Sequence, residues 1–256
     1  MIFLKSPSDL NHLEYVNKIG AEFLYECYDF ITDGIETIDI EKIALDFCKK
    51  YVVEPCFLGY ERFPHAICVS INDEIIHGFP SHRRINNGDI VSIDFGVKKN
   101  GFVSDAAFTK LVGKTNKRAK NLVKATYESL LKGIEQAFAG NRLFNISSTI
   151  HKHALDCKFD VIRKYVGHGT GFFLHEDPKV PNYVGFGVNW RLRPGMVLAI
   201  EPMLVEGSYD YSIAPNSWTV LTADGKLSAH FEHSVAITES GPRILSKFNG
   251  IEPWAC

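Results

Sequence analysis

The chain has 256 residues, 28 basic and 30 acidic, with a net charge of -2 and a hydrophobic content of 45%. This is the composition of a globular protein with a sizeable core, and it excludes a disordered, collagenous or fibrous chain. The near-balanced charge excludes a strong overall attraction to nucleic acid, and no apolar run of about 18 residues predicts a membrane span.

The apolar start, Met1 to Leu4, is too short for the core of a signal peptide. Cysteines stand at positions 27, 48, 56, 68, 157 and 256 with no Cys-x-x-Cys spacing. The expectation is six free thiols in a cytoplasmic protein.

Ser6, Pro7 and Asp9 read as a helix start, with Ser6 as N-cap. Leu13, Val16, Ile19, Phe23, Cys27 and Phe30 follow at spacings of three and four, which predicts one apolar helical stripe. A second helix is expected from Asp39 to about Lys50, with Ile43, Phe47 and Cys48 inward. Residues 66–71 read as a strand, Asn72 and Asp73 as a turn, and residues 74–77 as the next strand. A hairpin is expected from 89–98 and 102–112, with the turn at Lys99 to Gly101. Helices follow from about Arg118 to Ala139, stopped by Gly140, and from about Asn145, as candidate cap, to Cys157. Further strands are expected near 161–165, 196–204, 217–222 and 227–238. Two helices followed by antiparallel strands thus occur twice, which predicts one α+β domain over 1–256 with similar halves at about 7–112 and 118–245.

The chemistry starts from Asp94 and Asp105, eleven residues apart around the predicted turn. A two-residue loop at 99 and 100 would set them directly opposite, with Cβ atoms about 5 Å apart. Ionised carboxylates that close repel unless a proton or a cation lies between them. Glu201 and Glu232 each interrupt an apolar strand pattern, and a buried acid asks for a partner. On the last of these strands Leu227, Ala229, Phe231, His233, Val235 and Ile237 share one face, and His230 and Glu232 point to the other. His168 sits among Gly167, Gly169 and Gly171, whose freedom lets a ring be aimed. Such a set of carboxylates and one imidazole favours Mn, Fe, Co or Zn, and two such ions together activate water.

In the order and spacing of residues 72–78, 88–94, 101–105, 167–171, 194–203 and 217–234, the chain resembles type I methionine aminopeptidases. The resemblance implies the pita-bread fold, an α+β arrangement with a metal site in its central cleft. It implies two divalent ions on Asp94, Asp105, His168, Glu201 and Glu232, with Asp105 and Glu232 bridging. His77 falls on the family's substrate-contacting histidine, His175 on the one that stabilises the tetrahedral intermediate, and Glu201 on the proton shuttle. Phe57, Tyr60, Phe63, Cys68, Leu174 and Trp218 fall on the pocket for the first side chain. There the chain departs from the usual Cys at 57 and aromatic at 174, and Ala106 stands where a hydroxyl is common. The implied reaction removes the initiator methionine from nascent proteins by attack of a metal-bridging hydroxide on the first peptide carbonyl. It further implies a cytoplasmic monomer that contacts the ribosome transiently, with no membrane and no specific nucleic-acid partner. Two alternatives share the fold: an Xaa-Pro or creatinase-like peptidase, whose relatives carry an extra N-terminal domain, and a binding module, whose relatives lose metal ligands.

Overall fold

The first helix, α1 (Pro7–Phe30), starts at the expected capping box: the Ser6 hydroxyl accepts from Asp9 N, and Ser6 N donates to the Asp9 carboxylate at 2.8 Å. Leu13, Val16, Ile19, Phe23 and Cys27 are buried along it, but Phe30 is 37% exposed, because the helix ends before that turn reaches the core. A computed structural model describes residues 1–247 of the chain. Helix α2 (Thr37–Tyr51) buries Phe47 and Cys48, with Ile43 partly covered. Helix α3 (Lys117–Ile134) begins at an Asn116 cap and stops five residues short of the expected Ala139. Helix α4 (Leu143–Asp156) starts earlier than expected. Asn145 is its third residue rather than its N-cap, and accepts from Arg142 N at 2.9 Å. Cys27, Cys48, Cys56, Cys68 and Cys157 are free thiols, and Cys256 lies outside the described residues.

The central sheet contains β1 (Cys68–Ile71), β2 (Ile90–Phe95), β3 (Ala106–Leu111), β4 (Gly167–Gly169), β5 (Glu176–Val180), β6 (Val197–Ile200), β7 (Glu232–Thr238) and β8 (Gly241–Ile244). Its order is β5-β4-β6-β7-β3-β2-β1, with β8 paired to the far half of β7, and all pairs are antiparallel. The helices and strands build one large core cluster that includes Phe23, Phe95, Phe108, Leu130, Ile150 and Phe231. Ala229, Phe231, Val235 and Ile237 all lie in it, as the alternation of the last strand requires.

The long strands expected from the sequence are each broken. The run 196–204 splits into β6 and Met203–Val205, which belongs to a separate three-stranded sheet with Ser228–His230 and Asp160–Val161. The run 227–238 splits at Phe231 into that same small sheet and β7. Only Asp160–Val161 of the strand expected over 161–165 pairs, and only Val220–Thr222 of 217–222. The predicted hairpin splits too: beyond β2 and before β3, Val97–Lys99 and Phe102–Val103 form a small sheet with Glu54–Pro55.

Its turn is also one residue later than expected. Lys99 pairs with Phe102, and Asn100 and Gly101 both have positive φ, at 52° and 83°. Asn-Gly in that conformation is the turn whose twist fits a hairpin. The shift changes the register, so that Asp94 faces Ala107 rather than Asp105. Asp105 is therefore a diagonal neighbour of Asp94 on the same face, two residues along.

Strand β4 explains the glycines around His168. A Cβ at Gly167 would lie 2.3 Å from Ala199 O, and one at Gly169 would lie 2.2 Å from Asp177 O. Both backbones therefore approach β4 more closely than any side chain permits. Gly169→Ala should cost about 1–3 kcal/mol, as overpacking does. For a chain of this size that lowers Tm by about 2–10 °C. An unchanged melting curve would show that β4 and β5 can part without cost.

Candidate metal centre and adjoining cavities

Each of the four acids sits at or within two residues of a point where the chain leaves the central sheet. Asp94 is next to last in β2, and Asp105 immediately precedes β3. Glu201 directly follows β6, and Glu232 opens β7. At such a point the regular alternation stops, so a side chain can aim into the cleft between sheets instead of across one. His168, the middle residue of β4, pairs with Ala199 on β6 and so faces the same cleft.

The structure brings Asp94, Asp105, His168, Glu201 and Glu232 to one cavity. Donor atoms of Asp105, His168 and Glu232 all lie within 4.8 Å of one another. His168 Nε2 is 3.4 Å from Glu201 Oε1 and 3.7 Å from Asp105 Oδ2. The side chains of Asp105 and Glu232 are nearly inaccessible, at 3% and 2% exposure. Yet Asp94 Oδ1, Asp105 Oδ1 and Glu232 Oε1 have no hydrogen-bond partner among the described residues. Buried polar atoms are nearly always paired, so orphaned oxygens on three adjacent acids point to a missing positive charge.

Electrostatics agree. Burial pushes the Asp94 carboxyl up to about 7. Burial, then the charges of Asp94 and Glu201, holds Asp105 well above the usual carboxylate range. Burial, followed by neighbouring acids, does the same to Glu201 and Glu232. Burial also lowers His168 to about 3, so its ring is neutral. Gly169 O lies 2.9 Å from His168 Nδ1 and can only accept, so the proton is on Nδ1. That leaves a lone pair on Nε2 aimed at the acids, as a metal-ligating imidazole needs. Carboxylate oxygens with one such nitrogen fit a borderline divalent ion such as Mn, Fe, Co or Zn.

The sequence reading did not single out His230 for the site. It is 2% exposed, its Nε2 has no hydrogen-bond partner among the described residues, and it stands 3.7 Å from Glu201 Oε2. The signal was present, since His230 shares a face with Glu232 two residues on. Its backbone is tied to Thr109, whose hydroxyl donates to His230 O and accepts from His230 N.

His77 and His175 flank the cluster. His77 has φ of 57°, an uncommon conformation for a residue with a side chain, and burial lowers it to about 4. Its ring lies edge-on to Trp218 and Tyr165. His175 stands at the exposed rim, with Nδ1 2.7 Å from the Tyr60 hydroxyl and its ring edge-on to His168 at 4.2 Å. Phe57, Tyr60, Phe63, Cys68, Leu174 and Trp218 line the same cavity of about 130 Å³ as the acids. Phe57 therefore faces inward, 8% exposed. Ala106 is buried in the main core and does not line this cavity. A second, wider cavity of about 580 Å³ meets the first at His77, His168, His175 and Glu201, and is lined further by Tyr165, Phe173 and Lys179.

The family model of metallopeptidase family M24 matches residues 11–239. The methionine aminopeptidase of Clostridium acetobutylicum is 45% identical over 247 residues, which covers 96% of this chain and 99% of that protein. The crystal structure of methionine aminopeptidase from Thermotoga maritima superposes with a TM-score of 0.94 at 43% identity, covering 96% of this chain and all of that one. The prolidase from Pyrococcus horikoshii shares the fold, with a TM-score of 0.79 at 23% identity, and this chain spans 65% of its length.

Protons and a cation compete for the centre. The raised carboxyls contribute stability while protonated, and that contribution is lost as pH rises through the folded value, about 7 for Asp94. The lowered histidines act oppositely: each is neutral in the fold and costs stability below the unfolded value, about 6.5. Both sets favour the cation at higher pH. A saturating divalent ion should therefore raise Tm more at about pH 8 than at about pH 5.5, as read by calorimetry. An equal rise at both would contradict the assignment of a buried acid-histidine centre.

Proposed function

This chain belongs to metallopeptidase family M24, and we propose that it is a methionine aminopeptidase, a metal-dependent hydrolase that removes the N-terminal methionine from nascent proteins. One observation carries the reading: buried carboxylates with unpaired oxygens share a narrow cavity with Phe57, Phe63, Cys68, Leu174 and Trp218, and that cavity meets a wider one at Glu201 and three histidines. The narrow cavity takes the side chain of the first residue. The wide one takes the rest of the peptide. The likeness over nearly the full length of methionine aminopeptidases supports it.

In this reading, Asp94, Asp105, His168, Glu201 and Glu232 would hold two divalent ions drawn from Co, Mn, Fe or Zn. When bound, the ions supply Lewis acidity toward a water and the scissile carbonyl. Glu201, its pKa raised by burial, carries a proton from the attacking water toward the leaving amine. His77, neutral and half-buried at the junction of the cavities, orients the scissile bond. The Tyr60 hydroxyl lies 2.7 Å from Nδ1 of His175, and in the tautomer where it donates to Nδ1 the Nε2 proton faces the oxygen that gains charge. Phe57, Phe63, Cys68, Leu174 and Trp218 exclude water around the methionine side chain. The reading extends to residues 1–256 as a single catalytic domain, and to a cytoplasmic monomer that meets its substrates as they leave the ribosome. No helix among the described residues is long and apolar enough to cross a membrane.

The test is a panel of Met-, Ala- and Xaa-Pro-peptides offered to the metal-loaded protein. Release of methionine alone supports the reading, whereas cleavage confined to Xaa-Pro substrates refutes it. Variants divide the roles. Asp105→Ala and Glu232→Ala should lose both bound metal and turnover. His77→Ala and His175→Ala should keep the metal and lose about 10²–10³ in kcat, the usual cost of one intermediate-stabilising donor. Metal analysis beside steady-state rates reads the difference, and equal metal loss in all four would put the histidines among the ligands.

Phe57 narrows the cavity and Leu174 gives back volume from another wall. Phe57→Cys should therefore over-enlarge it and loosen selectivity for methionine. A single methylene in an apolar pocket is worth about 1–3 kcal/mol, so the ratio of Met- to Leu- and norleucine-peptide kcat/KM should fall at least about 10-fold. An unchanged ratio would show that position 57 does not read the side chain.

A further inference from the structure

The loop that carries Leu174 and His175 is held from behind by a charge pair far from it in sequence. Glu176 Oε1 accepts from Phe172 N at 2.7 Å and from Phe173 N at 3.1 Å. Its other oxygen takes the ammonium of Lys5, and both side chains are 1% exposed. Lys5 is itself fixed. Its backbone N donates to Gly195 O at 2.7 Å, and its ammonium lies 5.1 Å from the centre of the Phe172 ring. Its stem runs so close to Gly171 that a Cβ there would lie 2.7 Å from Lys5 Cε. Two charges this deeply buried cost several kcal/mol each in lost hydration. A simple packing role would be filled at lower cost by apolar side chains. What the pair does that apolar groups cannot is direct two backbone N–H groups at one point, immediately before the rim histidine.

We propose that Lys5 and Glu176 are positioning residues for His175: the buried pair fixes the 172–175 backbone and thereby holds the imidazole against Tyr60 and His168. This rests on the reading of His175 as donor to the intermediate. Lys5 touches neither substrate nor metal ligand, and acts only through the loop. Without the ammonium, the Glu176 carboxylate is buried and uncompensated, and it must turn toward water or take up a proton. Either change releases the two N–H groups and lets the imidazole swing, while the acids on β2, β3, β6 and β7 stay in place.

The experiment is a double-variant cycle on the metal-loaded full chain, with folding checked by circular dichroism. Lys5→Met should lower kcat about 10-fold, a part of the full donor loss, with KM for a Met-peptide changed less than about 2-fold and metal content unchanged. In the His175→Ala background Lys5→Met should cost nothing more, because the group it positions is gone. Equal loss in both backgrounds, or loss of metal, overturns the proposal while leaving the donor reading intact. A His175→Ala variant with unaltered kcat overturns both. Should Lys5→Met fail to fold, Glu176→Gln runs the same cycle with the same expectations. It keeps an oxygen for Phe172 N and Phe173 N and removes only the charge.

Discussion

Four carboxylates brought together in one buried cleft are the constraint on which this structure turns. Like charges a few Å apart in a poorly polarisable interior repel by several kcal/mol. Among the described residues no lysine or arginine pairs with them: the basic groups that face the acids are imidazoles held neutral by burial. The fold therefore has a deficit of positive charge built into its centre, between strands whose other side chains are largely apolar. This is why a cation is part of the design. An exposed cluster with the same donors would bind more weakly and would not need an ion in order to be tolerated.

The way the acids arrive follows from how the strands end. A residue inside a regular strand points to one of two faces, both already committed, one to helices and one to a neighbouring layer. Where the chain passes from the central sheet to a small flanking one, a side chain escapes that choice. Asp94 and Asp105 use the passage to one flanking sheet, and Glu201 and Glu232 the passage to another. The close approach of β4 to its neighbours, which only glycine permits, slides His168 in from the third side. The rim histidines sit on less regular backbone, His77 at a positive φ and His175 on a loop braced by a buried charge pair.

Much of this was legible in the sequence, and the failures have physical causes. The spacing of Asp94 and Asp105, the polar interruption at Glu201 and the glycines around His168 all marked the centre. The helices were legible because capping and 3.6-residue periodicity are local. The expected hairpin loop lies one residue too early, although Asn100-Gly101 was the stronger turn signal, since both central residues of such a turn need positive φ. The break at Pro202 had a signal, since proline cannot donate to a ladder, whereas at Phe231 the apolar alternation carries on across the change of sheet. β4 did not read as a strand, since glycine has little strand propensity of its own and its value there lies in contacts with β5 and β6. His230 was passed over because its partner, Glu201, is distant in sequence.

Asp94 and Asp105 come from one stretch of the chain, and His168, Glu201 and Glu232 from another that begins after two intervening helices. No fragment released early in synthesis can assemble the centre, since Glu232 must first be threaded between β6 and β3. Contacts so distant in sequence form late and slowly. A peptidase built this way is inert by construction until its last sheet strand has docked. Hydrolytic competence thus serves as a checksum on the complete tertiary structure, and an unfinished or truncated copy is harmless to the chains being made around it.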